Sequence, residues 1–172
     1  EARRRVFEVT LISGPTPLLP PKGIRFIPTV TVEDLKRALG KHFFANDALV
    51  MAAAVGDFLP NTRASKKVLR QPRWKVTFRQ APDLVRGIAQ SKGKRVVIGF
   101  SLETEDWLPR SRRKLKAKQL DGIVANYFSS RHNPFGKGRV HVALIDSGGT
   151  RILRRRSKSE LAREILNWVI AL

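Results

Sequence analysis

Cysteine is absent from this sequence, which excludes a disulfide framework and any thiolate metal site. Histidine is scarce: His42, His132 and His141 are scattered, without the spacing that builds a zinc centre. Ser13, Ser101 and Ser130 stand in no nucleophile-elbow context, so catalysis through a covalent enzyme intermediate is not expected. No G-x-G-x-x-G segment occurs, which ranks a nicotinamide-dependent oxidoreductase far below other readings. Trp74, Trp107 and Trp168 are too dispersed for a base-stacking platform and are expected to pack. No apolar run reaches membrane-spanning length and no signal-type segment opens the chain, so a soluble cytoplasmic protein with no membrane partner is expected.

Acidic residues are also few. Asp and Glu number 14 against 34 Lys and Arg, a formal net charge of +20. Such a field concentrates anions, whether triphosphates, phosphorylated metabolites or nucleic acid. The cations recur at Arg3 to Arg5, Arg110 to Lys118 and Arg151 to Lys158 rather than in one tail. That spread reads as a solvated basic surface first, with non-specific nucleic-acid binding as its secondary consequence.

With 172 residues, 42% of them hydrophobic, the chain buries one sizeable core and is read as a single domain. Strands and helices alternate. Val6 to Ile12 and Ile24 to Ile27 read as strands around a Pro-rich loop, and Thr31 opens a helix with Val32, Leu35, Leu39 and Phe43 at helical spacing. Trp74 to Phe78 alternates like a half-exposed strand. Pro82 is expected at the first position of a helix running through Gln90. Arg95 to Phe100 and Asp121 to Ala125 read as buried strands flanking a basic helix from Pro109 to Gln119. Val140 to Ile145 and Arg151 to Leu153 flank a Ser147-Gly-Gly-Thr150 turn. Ser157 and Glu160 form a capping box for a last helix whose buried stripe is Leu161, Ile165, Trp168 and Leu172. The pattern implies an α/β fold: a Rossmann-like three-layer domain with a mostly parallel sheet and an antiparallel extension.

In the segment Asp47-Ala-Leu-Val-Met-Ala-Ala-Ala-Val-Gly-Asp57, Asp47 to Val55 reads as a central strand buried on both faces. Ala52, Ala53 and Ala54 would let a flat ligand approach the backbone at the carboxyl edge, where open α/β sheets bind ligands. Asp57 would stand at the mouth as the nearest anion, able to hold a cation or a polar donor.

Five further segments join this one: Val9 to Thr16, Ala81 to Val85, Ile98 to Thr104, Lys114 to Asn126, and Phe135-Gly136. In order and spacing they closely resemble the phosphopantothenate–cysteine ligase family, commonly the C-terminal half of the bifunctional coenzyme A biosynthesis flavoprotein. The resemblance runs from about Val6 to Leu172. It implies a single ligase-like domain over 1–172 that is N-terminally truncated relative to the family, whose members begin with a strand and a Gly-rich phosphate-binding turn. Glu1 to Arg5 reads as the tail of the first family helix.

The resemblance also assigns roles. Lys67, ten residues beyond Asp57, matches the first Lys of the family's Lys-Ile-Lys-Lys-like motif and is the catalytic candidate. The motif here is Lys67-Val-Leu-Arg70, so Arg70 keeps a substrate-binding charge and Leu69 keeps none. Ala53, Ala54, Asp57, Gly99 and Phe100 would line the nucleotide pocket, and Lys114 and Lys118 would take its phosphates. Asn126 is a substrate-binding candidate, followed by Tyr127 where the family has Asp. After Phe135-Gly136, Lys137 to Val140 replaces the family's Ser-Asp-x-Asn.

The activity implied joins 4′-phosphopantothenate to cysteine with CTP as co-substrate and Mg²⁺ as cation, Asp57 being the metal candidate. A homodimer through the sheet extension is implied, as is fusion to or association with a flavin-dependent phosphopantothenoylcysteine decarboxylase. The rival reading is a degenerate nucleotide- or RNA-binding module of the same fold.

Overall fold

The computed structural model describes residues 1–172 except 63, 65, 130–132, 134, 135 and 137. Ser130, His132, Phe135 and Lys137, named above, lie outside the described residues. A short 3-10 helix at Arg3–Arg5 opens the chain, and Val6 caps it in the left-handed region (φ 65°). Strand β1 is therefore Thr10–Ser13, shorter than the stretch expected from Val6, and it pairs in parallel with β2, Arg25–Pro28.

Helix α1, Val32–His42, starts where sequence places it. The Thr31 hydroxyl accepts from the Asp34 amide at 3.0 Å, and the Asp34 carboxylate accepts from the Thr31 amide at 2.9 Å. These bonds, and the ion pair with Arg37, hold the Asp34 carboxyl down at about 2.

The main sheet has five strands in the order β3-β6-β7-β8-β9: Ala48–Met51, Val96–Glu103, Gly122–Tyr127, Val140–Asp146 and Gly149–Arg156. The first three are parallel to one another, and β8 and β9 extend the sheet antiparallel. The stretch expected as a central strand, Asp47 to Val55, is corrected to four residues at the sheet's edge. It sits there because β1 and β2 pair only with each other, and Ala52 to Val55 leave the ladder.

Two apolar layers cover the sheet. Helices α2, Leu84–Gln90, and α3, Trp107–Ala117, close one face over Val97, Ile123, Ala125, Ala143 and Ile145. Helix α4, Lys158–Ala171, closes the other over Ile98, Val124, Val142, Leu144 and Leu153. Leu161, Ile165 and Trp168 form its buried stripe as expected, but Leu172 is 46% exposed past the helix end. Asp146 locks this layer to the hairpin. One carboxylate oxygen accepts from the Gly148 and Gly149 amides (2.7 and 2.9 Å), the other from the Trp168 indole N–H (2.6 Å).

Two expectations are displaced. Asp83, not Pro82, caps α2, its carboxylate accepting the Arg86 amide at 3.1 Å, which leaves Pro82 outside the helix. Of the stretch Trp74 to Phe78 only Phe78 is strand: Phe58–Pro60 (β4) pairs antiparallel with Phe78–Gln80 (β5). That ribbon stands apart from the main sheet; beyond it the Asn61 amide donates to the Thr77 carbonyl at 2.9 Å, and Trp74 is 65% exposed. Among the described residues no helix is long and apolar enough to cross a membrane.

A methyl group on Gly122 would lie 2.3 Å from Trp168 Cη2 and 2.9 Å from Ile98 Cδ1. Gly122→Ala should therefore cost roughly 1–3 kcal/mol in urea unfolding, as overpacking does; no loss would show that the α4 layer yields freely. Because the folded Asp34 carboxyl sits at about 2, below its ordinary 3.8, its contribution is present above that ordinary value and lost as pH falls towards 2. Asp34→Asn should lower the melting temperature at pH 7, and the difference from wild type should vanish by about pH 2.

Candidate functional site

Parallel pairing of β3, β6 and β7 brings their carboxyl ends to one edge, with Met51 opposite Gly99 and Leu102 opposite Asn126. Side chains of β6 alternate between the two layers, as the period of a strand requires. Ile98 and Phe100 join the α4 core and Val97 the α2–α3 core. Gly99 also faces α3, because a Cβ there would lie 2.7 Å from Leu120 Cδ1. Its missing side chain thus makes room for Leu120, while Phe100 turns to the other face.

On the α4 side of this edge lies a cleft of about 530 Å³. It gathers five of the residues singled out from sequence: Ala52, Ala53, Ala54, Phe100 and Asn126. Leu102, Leu161 and Ile165 supply its apolar wall, and Lys158 its charge. The Asn126 amide donates to the Ser101 carbonyl at 3.3 Å, which fixes its side chain across the β6–β7 pair. A larger cleft of about 800 Å³ runs between α1 and the β4–β5 ribbon, bordered by Arg37, Asn61 and Arg79. It touches none of the predicted site residues, and ligands of open α/β sheets bind outside the strand ends, so the smaller cleft is the candidate.

Lys158 and the α4 wall were missed in sequence, although topology offered a signal. The two antiparallel steps β7 to β8 to β9 restore the original strand direction. The helix after β9 must therefore open at the same edge as the ends of β6 and β7.

Lys114 and Lys118 lie outside the cleft, each tied to an acid. The Lys114 ammonium donates to Glu103 at 2.6 Å, and Arg110 approaches the same carboxylate at 4.0 Å. Glu103 is only 6% exposed, at the last position of β6, above a buried Ser101–Ser111 hydroxyl pair at 2.7 Å. Lys118 pairs with Asp83, the α2 cap, at 3.0 Å. Asp57, Lys67 and Arg70 are exposed, and their side chains have no hydrogen bond or ion pair among the described residues. The Asp57 backbone is held, its carbonyl accepting the Ala81 amide at 2.8 Å. Tyr127 packs with Trp107 and His141, ring centroids 5.8 and 6.0 Å away.

The two lysines should separate in a stability measurement. Lys114→Ala leaves a buried carboxylate with only the more distant Arg110 and should cost about 1–3 kcal/mol, below the range of a fully buried pair because the Lys114 side chain is 47% exposed. Lys118→Ala, whose partner is itself exposed, should cost under about 1 kcal/mol. Equal small losses in denaturant unfolding would show that Glu103 does not depend on Lys114.

The chain is 34% identical over 167 residues to the coenzyme A biosynthesis bifunctional protein CoaBC of Bacillus subtilis, covering 95% of this chain and 41% of that protein. A crystal structure of the C-terminal domain of a coenzyme A biosynthesis bifunctional protein CoaBC superposes with a TM-score of 0.81 at 25% identity, over 98% of this chain and 76% of that one. A Cab2 mutant in complex with phosphopantothenate-cysteine shares the fold, with a TM-score of 0.67 at 19% identity over 86% of this chain and 52% of that one. The DNA/pantothenate metabolism flavoprotein C-terminal domain family matches residues 1–172 from end to end, and the chain belongs to it.

Proposed function

We propose that this domain is a ligase of coenzyme A biosynthesis, joining 4′-phosphopantothenate to cysteine at the expense of CTP. The observation that carries the reading is the cleft at the strand ends, where Ala53, Ala54, Phe100 and Asn126 meet. A carboxylate is a poor electrophile, so it is first activated. The 4′-phosphopantothenate carboxylate attacks the α-phosphate of CTP, pyrophosphate leaves, and an acyl-cytidylate forms. The cysteine amine then attacks the activated carbonyl and CMP leaves.

In this scheme Phe100 offers a flat face to the cytosine, and Ala53 and Ala54 let the ring reach backbone. Gly99 contributes through its backbone and by seating Leu120. Asn126 offers the substrate its amide oxygen. Lys67 stabilises charge as P–O bonds change, a form of preorganised electrostatic catalysis, and Arg70 adds a second cation on the same loop. Lys114 and Lys118 each keep ammonium donors for phosphate beyond the bond to their acid.

Among the described residues no three metal-ligating side chains converge. A single exposed carboxylate such as Asp57 suits Mg²⁺, which commonly binds through one or two carboxylates plus substrate phosphates. Bound there, Mg²⁺ would offset the triphosphate charge.

The β4–β5 ribbon supports a homodimer. A lone two-stranded ribbon is marginal in water, and this one exposes Phe58 and Phe78, with Trp74 beside it. The bifunctional relatives support a flavin-dependent decarboxylase as the fused or associated partner. Leu69, 83% exposed on the Lys67 loop, with the +20 charge, favours a second reading: a nucleotide- or RNA-binding module without turnover.

Turnover separates the two. Incubated with CTP, Mg²⁺ and 4′-phosphopantothenate, the protein should release pyrophosphate, and CMP only once cysteine is added. Binding of CTP with no product under these conditions would favour the module. Lys67→Ala should cut kcat by about 10²–10³-fold, the scale of losing a transition-state contact, with CTP affinity changed far less. Unchanged turnover would move the role to Arg70 or Lys118.

A further inference from the structure

We infer that Lys158 binds the phosphate of the ligand occupying the strand-end cleft, an inference that rests on the ligase reading above. Lys158 is the one charged residue bordering this cleft among the described residues. The rest of the border is apolar or neutral: alanines of the β3 end, Phe100, Leu102, Asn126 and the α4 wall of Leu161 and Ile165. An apolar slot with a single cation at its rim fits a ligand with a flat or aliphatic body and an anionic end.

The ammonium is available for that role. Lys158 is exposed and has no hydrogen bond or ion pair among the described residues. The nearest acid along its helix, Glu160, is engaged elsewhere. Its carboxylate accepts the Ser157 amide at 2.7 Å and lies 3.7 Å from Arg139. Bonding to Ser157, then the Arg139 and Arg156 charges, holds that carboxyl below its ordinary range, so it stays an anion satisfied by others. The helix end is not itself the site, because the Ser157 hydroxyl already takes the Glu160 amide at 3.2 Å.

The cations expected to take phosphate are placed differently. Lys114 is drawn to Glu103 and Lys118 to Asp83, at the α3 side of β6, whereas Phe100 and Leu102 face α4. A phosphate whose organic body lies on Phe100 therefore meets Lys158 without any ion pair having to open first. Phosphate could arrive on either substrate, the nucleotide or the phosphorylated acid, and both present the same group to an ammonium.

Calorimetric titration of wild type, Lys158→Gln, Lys158→Arg and the remote surface control Lys41→Gln, each with CTP and with 4′-phosphopantothenate, tests this. Lys158→Gln should weaken at least one ligand about 10- to 100-fold, the scale of one lost charge-assisted bond. Lys158→Arg should restore most of that affinity, and Lys41→Gln should leave it unchanged. The ligand that loses affinity identifies whose phosphate Lys158 holds. Unaltered melting temperatures would confirm that the exposed side chain acts on binding rather than folding. If Lys158→Gln binds both ligands as wild type does, or if Lys41→Gln loses as much, the inference is overturned while the ligase reading stands. If wild type binds neither ligand, the ligase reading fails and takes this inference with it.

Discussion

Strand β6 is buried on both faces, and the alternation of its side chains governs everything around it. Val97, Gly99, Ser101 and Glu103 turn to the α2–α3 layer; Ile98, Phe100 and Leu102 turn to α4. A slip of one residue would exchange the two sets, placing Phe100 against Leu120 and Glu103 in the apolar layer. The register is pinned from several directions. Leu120 fills the space over Gly99, Ser111 bonds Ser101, and the Asp121 carboxylate accepts the Val97 amide at 2.8 Å. The same alternation sorts the chemistry, sending an aromatic ring to the cleft and a carboxylate with its two cations to the opposite side.

Most of the fold was legible because its signals are local. Thr31 with Asp34 and Ser157 with Glu160 mark helix starts, and the glycines after Asp146 mark the hairpin. The faults came where neighbours decide. The run from Leu49 to Val55 is apolar enough for a central strand, yet its ladder stops at Met51 because pairing depends on the strand alongside. Trp74 and Val76 alternate as a strand would, but among the described residues neither is paired in a sheet. Pro82 suits a first helical position, yet a side chain that can accept an amide bond captured the cap, and that was Asp83.

The cleft was half legible. Small residues at a strand end are visible along the chain, which singles out Ala53 and Ala54, whereas Phe100 and Asn126 were reached through the resemblance to the ligase family. Which cation meets them was not, because lysine spacing on a helix says nothing about the acids packed beside it. Glu103 and Asp83 claim Lys114 and Lys118, while Lys158 arrives from a helix over 30 residues later. In a chain of net charge +20, the scarce acids decide which cations remain available. That selection is a property of the fold, and composition conceals it.

If ligand recognition belongs to the strand-end cleft, the most direct measurement is a CTP titration of isotopically labelled protein with Mg²⁺, followed through backbone amide resonances. The amides of Ala53, Ala54, Phe100, Leu102 and Asn126 should shift together and saturate, and the shifts should survive added salt that weakens non-specific polyanion binding. Shifts confined to the basic surface of α3, or to the cleft beside Arg37 and Arg79, and abolished by salt, would contradict the assignment of the site.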